Sequence, residues 1–571
     1  MFESYAVKLT LPNSREEIQK GISFHLSRLI SLRTHLNTLS PICQLPQEVL
    51  AEIFLAYVNP SQSARIGRPP FSPPHIIHVA SSPHILLSVC RYWRDLAISQ
   101  PAVWANITVT TLVHTGYSHY LSMMLDRSKS AALRIFVGDQ HYTFSRLDPL
   151  ARRPIVNSID ILQPHLSRAV SLSICQTPEG DIEHALSAIP SSMPHLRSLE
   201  IQVRLRDIGD TQIQITIPHT APNQFPSLTR LYLTNCCFPS KARLPRTLTA
   251  LTVVYEEEDF PFGGKLLTFA DLLVALRSLP SLVELELRRI LPHPFDPTTQ
   301  SVATPIPLPV LERLHLEDDA TVVLWLLQSL DIPALTSTSL QLLGQIEQPV
   351  IPLLTSVLPI KAGQHLRRGH GAFVLSLFDT AFQAYTPRAG LTRPYKAKYW
   401  VSEYQAEFSL LLPCHGVKRR DGAFAFLSTS LLTDVLPRLW LCQATELHIT
   451  AGPVVDVGYQ GREWHGPRRE AQWRAVLRAM PNVESVTIEA PVDIPTLLSA
   501  PSDQDGDDAL GYPAPRLRKL VVEWAWLVPT MVDYQERNHL PVVSFTGWAN
   551  TLKLRAAAGC ANLQIEFVVD M

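Results

Sequence analysis

The chain has 571 residues, 46% of them hydrophobic and 18% charged, and carries a net charge of −1. Length and apolar content suffice for a large core, while the balanced charge lacks the basic excess of a dedicated nucleic-acid binder. A charged fraction below the about 25% usual in soluble domains predicts a largely uncharged surface, and 47 prolines predict short elements separated by stiff loops.

The first residues, Met1 to Thr10, hold no apolar core of signal-peptide length, and no window of about 18 uninterrupted apolar residues occurs. A protein of the cytosol or nucleus, without a membrane partner, is therefore expected. Its cysteines, 8 in all, sit at irregular positions and read as free thiols rather than a disulfide framework.

The first predicted element is a helix opened by Ser14-Arg15-Glu16-Glu17, a capping-box pattern, and closed by Pro41. Between them Ile18, Ile22, His25, Leu29, Leu32, Leu36 and Leu39 alternate spacings of four and three, a heptad seam interrupted once by His25. Such a seam serves either a coiled coil with another chain or packing on its own domain. Three heptads are the minimum for the former, so packing on its own domain is the expectation.

A second helix follows at Leu45-Pro46-Gln47-Glu48-Val49-Leu50-Ala51-Glu52-Ile53-Phe54, with Pro46 at a position where its missing N–H costs nothing. Leu45, Val49 and Ile53 fall on one stripe and Leu50, Phe54 and Tyr57 on an adjoining one. The stretch 59–83 holds Pro60, Pro69, Pro70, Pro73, Pro74 and Pro83 and is read as irregular. A further helical stretch starts at Ser82-Pro83 and runs from Ile85 through Cys90, Trp93 and Arg94 to Ala97, followed by Pro101, Val103, Trp104 and Ile107.

Taken together, LPxEVLxEIF and SVCRYWRDLAISQPAVW at this separation resemble the F-box family, in particular its fungal members, over residues 45–107. The resemblance implies a small all-α module that binds a Skp-type adaptor and, through it, a cullin. By the same resemblance the adaptor-binding residues are Leu45, Pro46, Val49, Leu50, Ile53 and Phe54, while Trp93 and Trp104 build the core. A helix with two adjoining apolar stripes cannot bury both in one small core. The face of Leu45, Pro46, Leu50 and Phe54 is expected to point outward. The proline-rich insertion departs from the family pattern, although lengthening a loop is tolerable thermodynamically.

Beyond residue 120 a motif recurs: proline, any residue, then Leu-x-x-Leu-x-Leu. Pro194 leads Leu196, Leu199 and Ile201; Pro226 leads Leu228, Leu231 and Leu233; Pro280 leads Leu282, Leu285 and Leu287; Pro309 leads Leu311, Leu314 and Leu316. Pro481 leads Val483, Val486 and Ile488, and Pro515 leads Leu517, Leu520 and Val522. Leu248, Leu251 and Val253 keep the spacing with Pro245 one place early, and weaker copies lie at Leu172–Ile174, Leu335–Leu340 and Leu447–Ile449. The last two apolar positions alternate as one face of a short strand requires. Helical patterns precede some copies, as at Leu272, Leu273, Leu276 and Leu279, or at Trp473, Val476, Leu477 and Met480. Units that cannot bury a face alone bury it by stacking. The pattern resembles the irregular leucine-rich repeats that follow F-boxes.

The fold class expected is α/β: a small all-α N-terminal domain followed by an irregular repeat solenoid with parallel strands. The boundaries read as an N-terminal helix over 1–41, the F-box-like domain over 42–110, repeats over 111–340, an insert or degenerate repeats over 341–432, and further repeats over 433–571 with an acidic loop at 501–513.

Catalytic and metal patterns are missing: no Gly-x-Ser-x-Gly, His-Glu-x-x-His, Walker or dinucleotide fingerprint occurs. Cys236-Cys237 reads as core thiols, since neighbours on a strand point opposite ways, and Cys414-His415 suggests a thiol nucleophile only where the fold brings partners to it. Asp503, Asp505 and Asp507 have calcium-loop spacing, but Ala514 stands where the twelfth-position glutamate belongs. Glu256–Asp259 and the group Arg462, His465, Arg468 and Arg469 read as solvated charge. No cofactor or metal is expected. The function expected is a non-enzymatic substrate-recognition adaptor of an SCF-type cullin-RING ubiquitin ligase, its repeats holding a target protein; the alternative is a repeat scaffold with no ubiquitin role.

Overall fold

The computed structural model describes residues 14–58, 83–109, 117–138, 156–177, 184–203, 225–236, 244–255, 269–291 and 305–343, then the segments 374–378, 381–385, 408–411, 446–450, 477–489 except Ala479, Leu498, 514–523, and 545–568 except Ala561. It is a mixed α/β protein with an N-terminal helical region and a largely parallel sheet. The chain divides into two compact units, Met1–Arg65 with Pro74–Leu196, and Ile66–Pro73 with Arg197–Met571.

The first unit opens with α1 (Arg15–Thr38). Ser14 caps it as its sequence requires, accepting from the Glu17 N–H at 3.2 Å. No residue of α1 is buried. The expectation that it packs on its own domain is therefore not met. That helix, α2 (Gln47–Val58), buries Leu50, Ala51, Phe54 and Val58, one stripe at helical spacing. The later helical stretch is divided into α3 (His84–Val89) and α4 (Arg91–Ser99) by Cys90, which takes an extended conformation (φ −157°, ψ 172°). The break exposes α3's last carbonyls, and Arg94 Nε turns back to donate to the Leu87 oxygen at 3.0 Å.

Phe54 meets the Trp93 ring at 4.9 Å. Trp104 is fully buried, donates from Nε1 to the Ala97 carbonyl at 2.7 Å, and carries the Arg127 guanidinium 4.4 Å above its ring. The helical segment ends in a strand, so it is not purely α. β1 (Asn106–Val109) pairs in parallel with β2 (Leu133–Gly138) across α5 (Tyr117–Ser128), and β2 pairs with β3 (Ala169–Thr177), which follows α6 (Val156–Leu162). Gly138 sits at φ 142°, and a Cβ there would lie 1.7 Å from the Cys175 carbonyl oxygen, so no larger residue fits without moving β3.

The second unit is built on the recurrent motif. In chain order it comprises β4 (Ser198–Val203), β5 (Arg230–Thr234), β6 (Ala250–Val254), α7 (Phe269–Arg277), β7 (Glu284–Arg288), β8 (Ile306–Pro307), β9 (Arg313–Asp319), α8 (Ala320–Gln328), β10 (Leu330–Asp331) and β11 (Ser337–Leu343). There follow β12 (Val374–Phe378), β13 (Ala381–Tyr385), β14 (Phe408–Leu411), β15 (Glu446–Thr450), β16 (Ser485–Glu489), β17 (Lys519–Glu523), α9 (Phe545–Ala557) and β18 (Gln564–Val568). Within this unit the strand order is β4-β5-β6-β7-β9-β11-β14-β13-β12-β15-β16-β17-β18, with β8 and β10 paired apart.

Among the described residues the proline-led copies of the motif make the same turn. The first apolar N–H donates three residues back: Leu196 to Met193, Leu228 to Phe225, Leu282 to Leu279, Leu311 to Leu308, Leu335 to Ile332, Val483 to Met480 and Leu517 to Ala514. That places Pro194, Pro226, Pro280, Pro309, Pro333, Pro481 and Pro515 at the second turn position, where proline's fixed φ is preorganised. The same frame explains Pro245, which supplies the acceptor carbonyl for Leu248. Each copy then hands a carbonyl to two successive N–H groups of the next: Arg197 O to Thr229 and Arg230, Thr229 O to Thr249 and Ala250, Thr249 O to Val283 and Glu284, Val283 O to Glu312 and Arg313. The register follows, with Leu199, Leu231, Leu251, Leu285 and Leu314 abreast, and Ile201, Leu233, Val253, Leu287 and Leu316 abreast. All are buried.

The late copies join the same sheet: β15, β16, β17 and β18 are parallel neighbours. The expectation of parallel strands throughout fails at β13, which is antiparallel to both β12 and β14. Only Asp379 and Thr380 separate β12 from β13, and a parallel partner would need a crossover of about a dozen residues. β18 and α9 have no counterpart in the sequence reading.

Candidate partner-binding face

Alternation along each strand sends the leucines to one face of the sheet and leaves a second face of polar rows. One row runs Ser198, Arg230, Ala250, Glu284, Arg313 and Ser337; the next runs Glu200, Tyr232, Thr252, Glu286, His315 and Ser339; the third runs Gln202, Thr234, Val254, Arg288, Glu317 and Gln341. Sequence reading of the motif names only the apolar positions, so these residues were missed. The signal was present in the intervening letters, Glu-Leu-Glu-Leu-Arg at β7 and Arg-Leu-His-Leu-Glu at β9.

Charges concentrate between β6 and β11. Glu317 is buried and accepts from Arg288 Nε at 2.6 Å and Arg289 Nε at 2.7 Å. Arg289 holds a left-handed backbone (φ 55°) just past β7 and donates its N–H to the Glu317 carbonyl at 2.6 Å, so main chain and side chain bind the same residue. Arg313 pairs with Glu284 one strand away. Half-buried Glu286 accepts from Thr252 Oγ1 at 3.3 Å. Burial raises its pKa to about 7 and the Glu317 charge adds to this, against the Arg288 charge and the Thr252 hydrogen bond. His315, beside it in register, is pushed down to about 3 by burial and by the Arg288 charge, so it is neutral at physiological pH.

The run Glu317-Asp318-Asp319 has three separate duties. Glu317 serves the two arginines, Asp318 accepts from the N–H groups of Leu291 at 2.8 Å and Asp319 at 2.9 Å, and Asp319 caps α8 by accepting from the Thr321 N–H at 2.9 Å. At the far end, buried Arg555 of α9 donates to the Ala514 carbonyl at 2.8 Å. Half of the row residues, among them Glu200, Gln202, Thr234, His315 and Glu317, are buried and the others are half-buried, so the charges and hydroxyls of this face stand at strand spacing but are only partly open. Among the described residues no group of His, Cys, Asp and Glu could hold a metal ion, and Cys236 is a buried thiol near the Ile201 carbonyl.

The residues singled out on α2 are split by the fold. Leu50 and Phe54 are fully buried, Leu45 is half-buried, and Pro46, Val49 and Ile53 are exposed. The assignment of Leu50 and Phe54 to an outward face is thus reversed: Trp93 recruits the Phe54 side of the helix, and the outward stripe is Pro46, Val49 and Ile53. The proline-rich stretch 59–82, Glu256–Asp259, Cys414-His415, Arg462–Arg469 and the acidic loop 501–513 lie outside the described residues. No helix among the described residues is long and apolar enough to cross a membrane. No family model matches this chain, and no curated protein matches it.

Proposed function

We propose that this protein is a non-catalytic adaptor, the substrate-recognition subunit of an SCF-type cullin-RING ubiquitin ligase. Residues 45–107 act as an F-box that engages a Skp-type adaptor and through it a cullin. The later motif copies act as an irregular leucine-rich repeat solenoid whose polar rows hold the target protein. The setting is the cytosol or nucleus. The observation that carries the reading is the joint packing of the two F-box-like sequence blocks. Phe54 of the first meets Trp93 of the second, with Trp104 buried nearby, while Pro46, Val49 and Ile53 remain exposed on the adjoining stripe.

The test is capture of a Skp-type adaptor by the full chain, compared with a Val49→Asp, Ile53→Asp variant. Both positions are exposed, so the variant keeps the wild-type melting temperature and loses the adaptor. Binding that survives the double change, or wild-type protein that binds no Skp-type adaptor, leaves the second reading. That reading is a repeat scaffold without ubiquitin transfer, and the polar rows favour it equally.

A further inference from the structure

We propose that the seam of α1 is a docking site for an acidic amphipathic helix of a partner chain, the two forming a short coiled coil. This stands independently of the ubiquitin reading. The heptad places Ile22, Leu29 and Leu36 at a positions and Ile18, His25, Leu32 and Leu39 at d positions. Every apolar member of the seam is exposed; Leu32 is 64% and Leu36 66% accessible. Leucines in register along one stripe of a 24-residue helix, none of them packed, form half of an interface.

Charge selects the occupant. The acidic residues of α1, Glu16 and Glu17, stand in its first turn, and Glu16 is taken up by Lys20 at 3.2 Å. From Gly21 to Thr38 there is no acidic residue, while Arg28 lies at a g position, Arg33 at an e position and His35 at the next g. A parallel second copy would set Arg28 of each chain against Arg33 of the other, on both sides of the seam. An antiparallel copy would set e against e and g against g, again cation against cation. Acidic e and g residues on a different helix turn the same contacts into ion pairs, and His25 within the seam calls for a polar partner residue in that layer. An anionic bilayer is a poorer fit. A helix lying in a membrane interface needs a polar back, and exposed Phe24 and Ile30 lie about 120° from the seam on either side at 3.6 residues per turn.

The probe is a labelled synthetic three-heptad helix with leucine at a and d, one asparagine opposite His25, and glutamate at e and g. A second probe carries lysine at e and g. The full chain binds the glutamate probe by fluorescence anisotropy and does not bind the lysine probe. Arg28→Glu with Arg33→Glu reverses that preference, each affinity changing by about tenfold or more at low salt. Leu29→Asn with Leu36→Asn abolishes binding without altering the melting temperature, since neither residue is packed in the fold. Equal binding of both probes by wild type, or no binding of the glutamate probe, overturns the proposal. So does sedimentation showing a dimer of the full chain that the leucine variant dissolves. So does flotation with phosphatidylserine vesicles that depends on Leu29 and Leu36 while the glutamate probe stays unbound.

Discussion

Two parts of this chain carry equally regular apolar spacing and end in opposite environments. In the sheet, Leu199, Leu231, Leu251, Leu285 and Leu314 stand abreast and none is more than slightly accessible; Leu285 is 1% exposed. In α1, Ile22, Leu29, Leu32 and Leu36 are as well ordered along the sequence and lie open. Periodicity tells which residues share a face, but not what covers it. The sheet copies cover one another because each turn passes hydrogen bonds to the next. The helix has no second copy of itself in the chain, and none of its residues is buried.

The contrast can be broken most directly by paired truncations. Leu285→Ala removes a fully packed side chain and is expected to cost about 2–5 kcal/mol, lowering the thermal midpoint of the sheet unit, whereas Leu32→Ala changes stability by no more than about 0.5 kcal/mol. Equal losses in scanning calorimetry would show that α1 is packed and remove the basis for its docking role. A smaller effect sharpens the polar side of the same strands. Glu317→Gln keeps the shape but withdraws the charge from Arg288 and Arg289, and about 2 kcal/mol of stability goes with it; a variant as stable as wild type would mean that the two arginines do not depend on that carboxylate.

The smallest net effect is in pH. Glu286 binds its proton more tightly when folded, its pKa rising from the usual 4.5 to about 7. Its contribution is complete below about 4.5 and is lost as pH rises to about 7. His315 is the reverse case, lowered from 6.5 to about 3, so its contribution is complete above about 6.5 and is lost as pH falls toward 3. Between about 4.5 and 6.5 the two slopes oppose, and wild-type stability varies less than either residue alone would require. Glu286→Gln leaves the histidine slope, with the melting temperature rising with pH in that window. His315→Gln leaves the glutamate slope, with it falling. Melting curves whose pH slopes are the same in both variants would count against the assignment.

Much of the array was legible because proline and leucine each have a local job. Proline presets the second position of the turn, the first leucine closes it, and the alternating pair enters the strand. These requirements repeat in the proline-led copies and so show in the letters. β13 escaped notice because a two-residue link dictates antiparallel pairing without any apolar signature. β18 was missed because its copy lacks the proline.

The sequence by itself determined which residues share a face: the capped seam of α1, the two stripes of α2, and the inward side of each sheet copy. Those properties follow from 3.6-residue and two-residue periods that operate within a few residues. Only the tertiary structure decided which stripe of α2 goes inward, since both are apolar and it is Trp93, far along the chain, that selects Phe54. It alone decided that Glu317 reaches Arg288 and Arg289 across a strand boundary. It also left the α1 seam uncovered, because burial depends on finding a complementary surface and no local period encodes that.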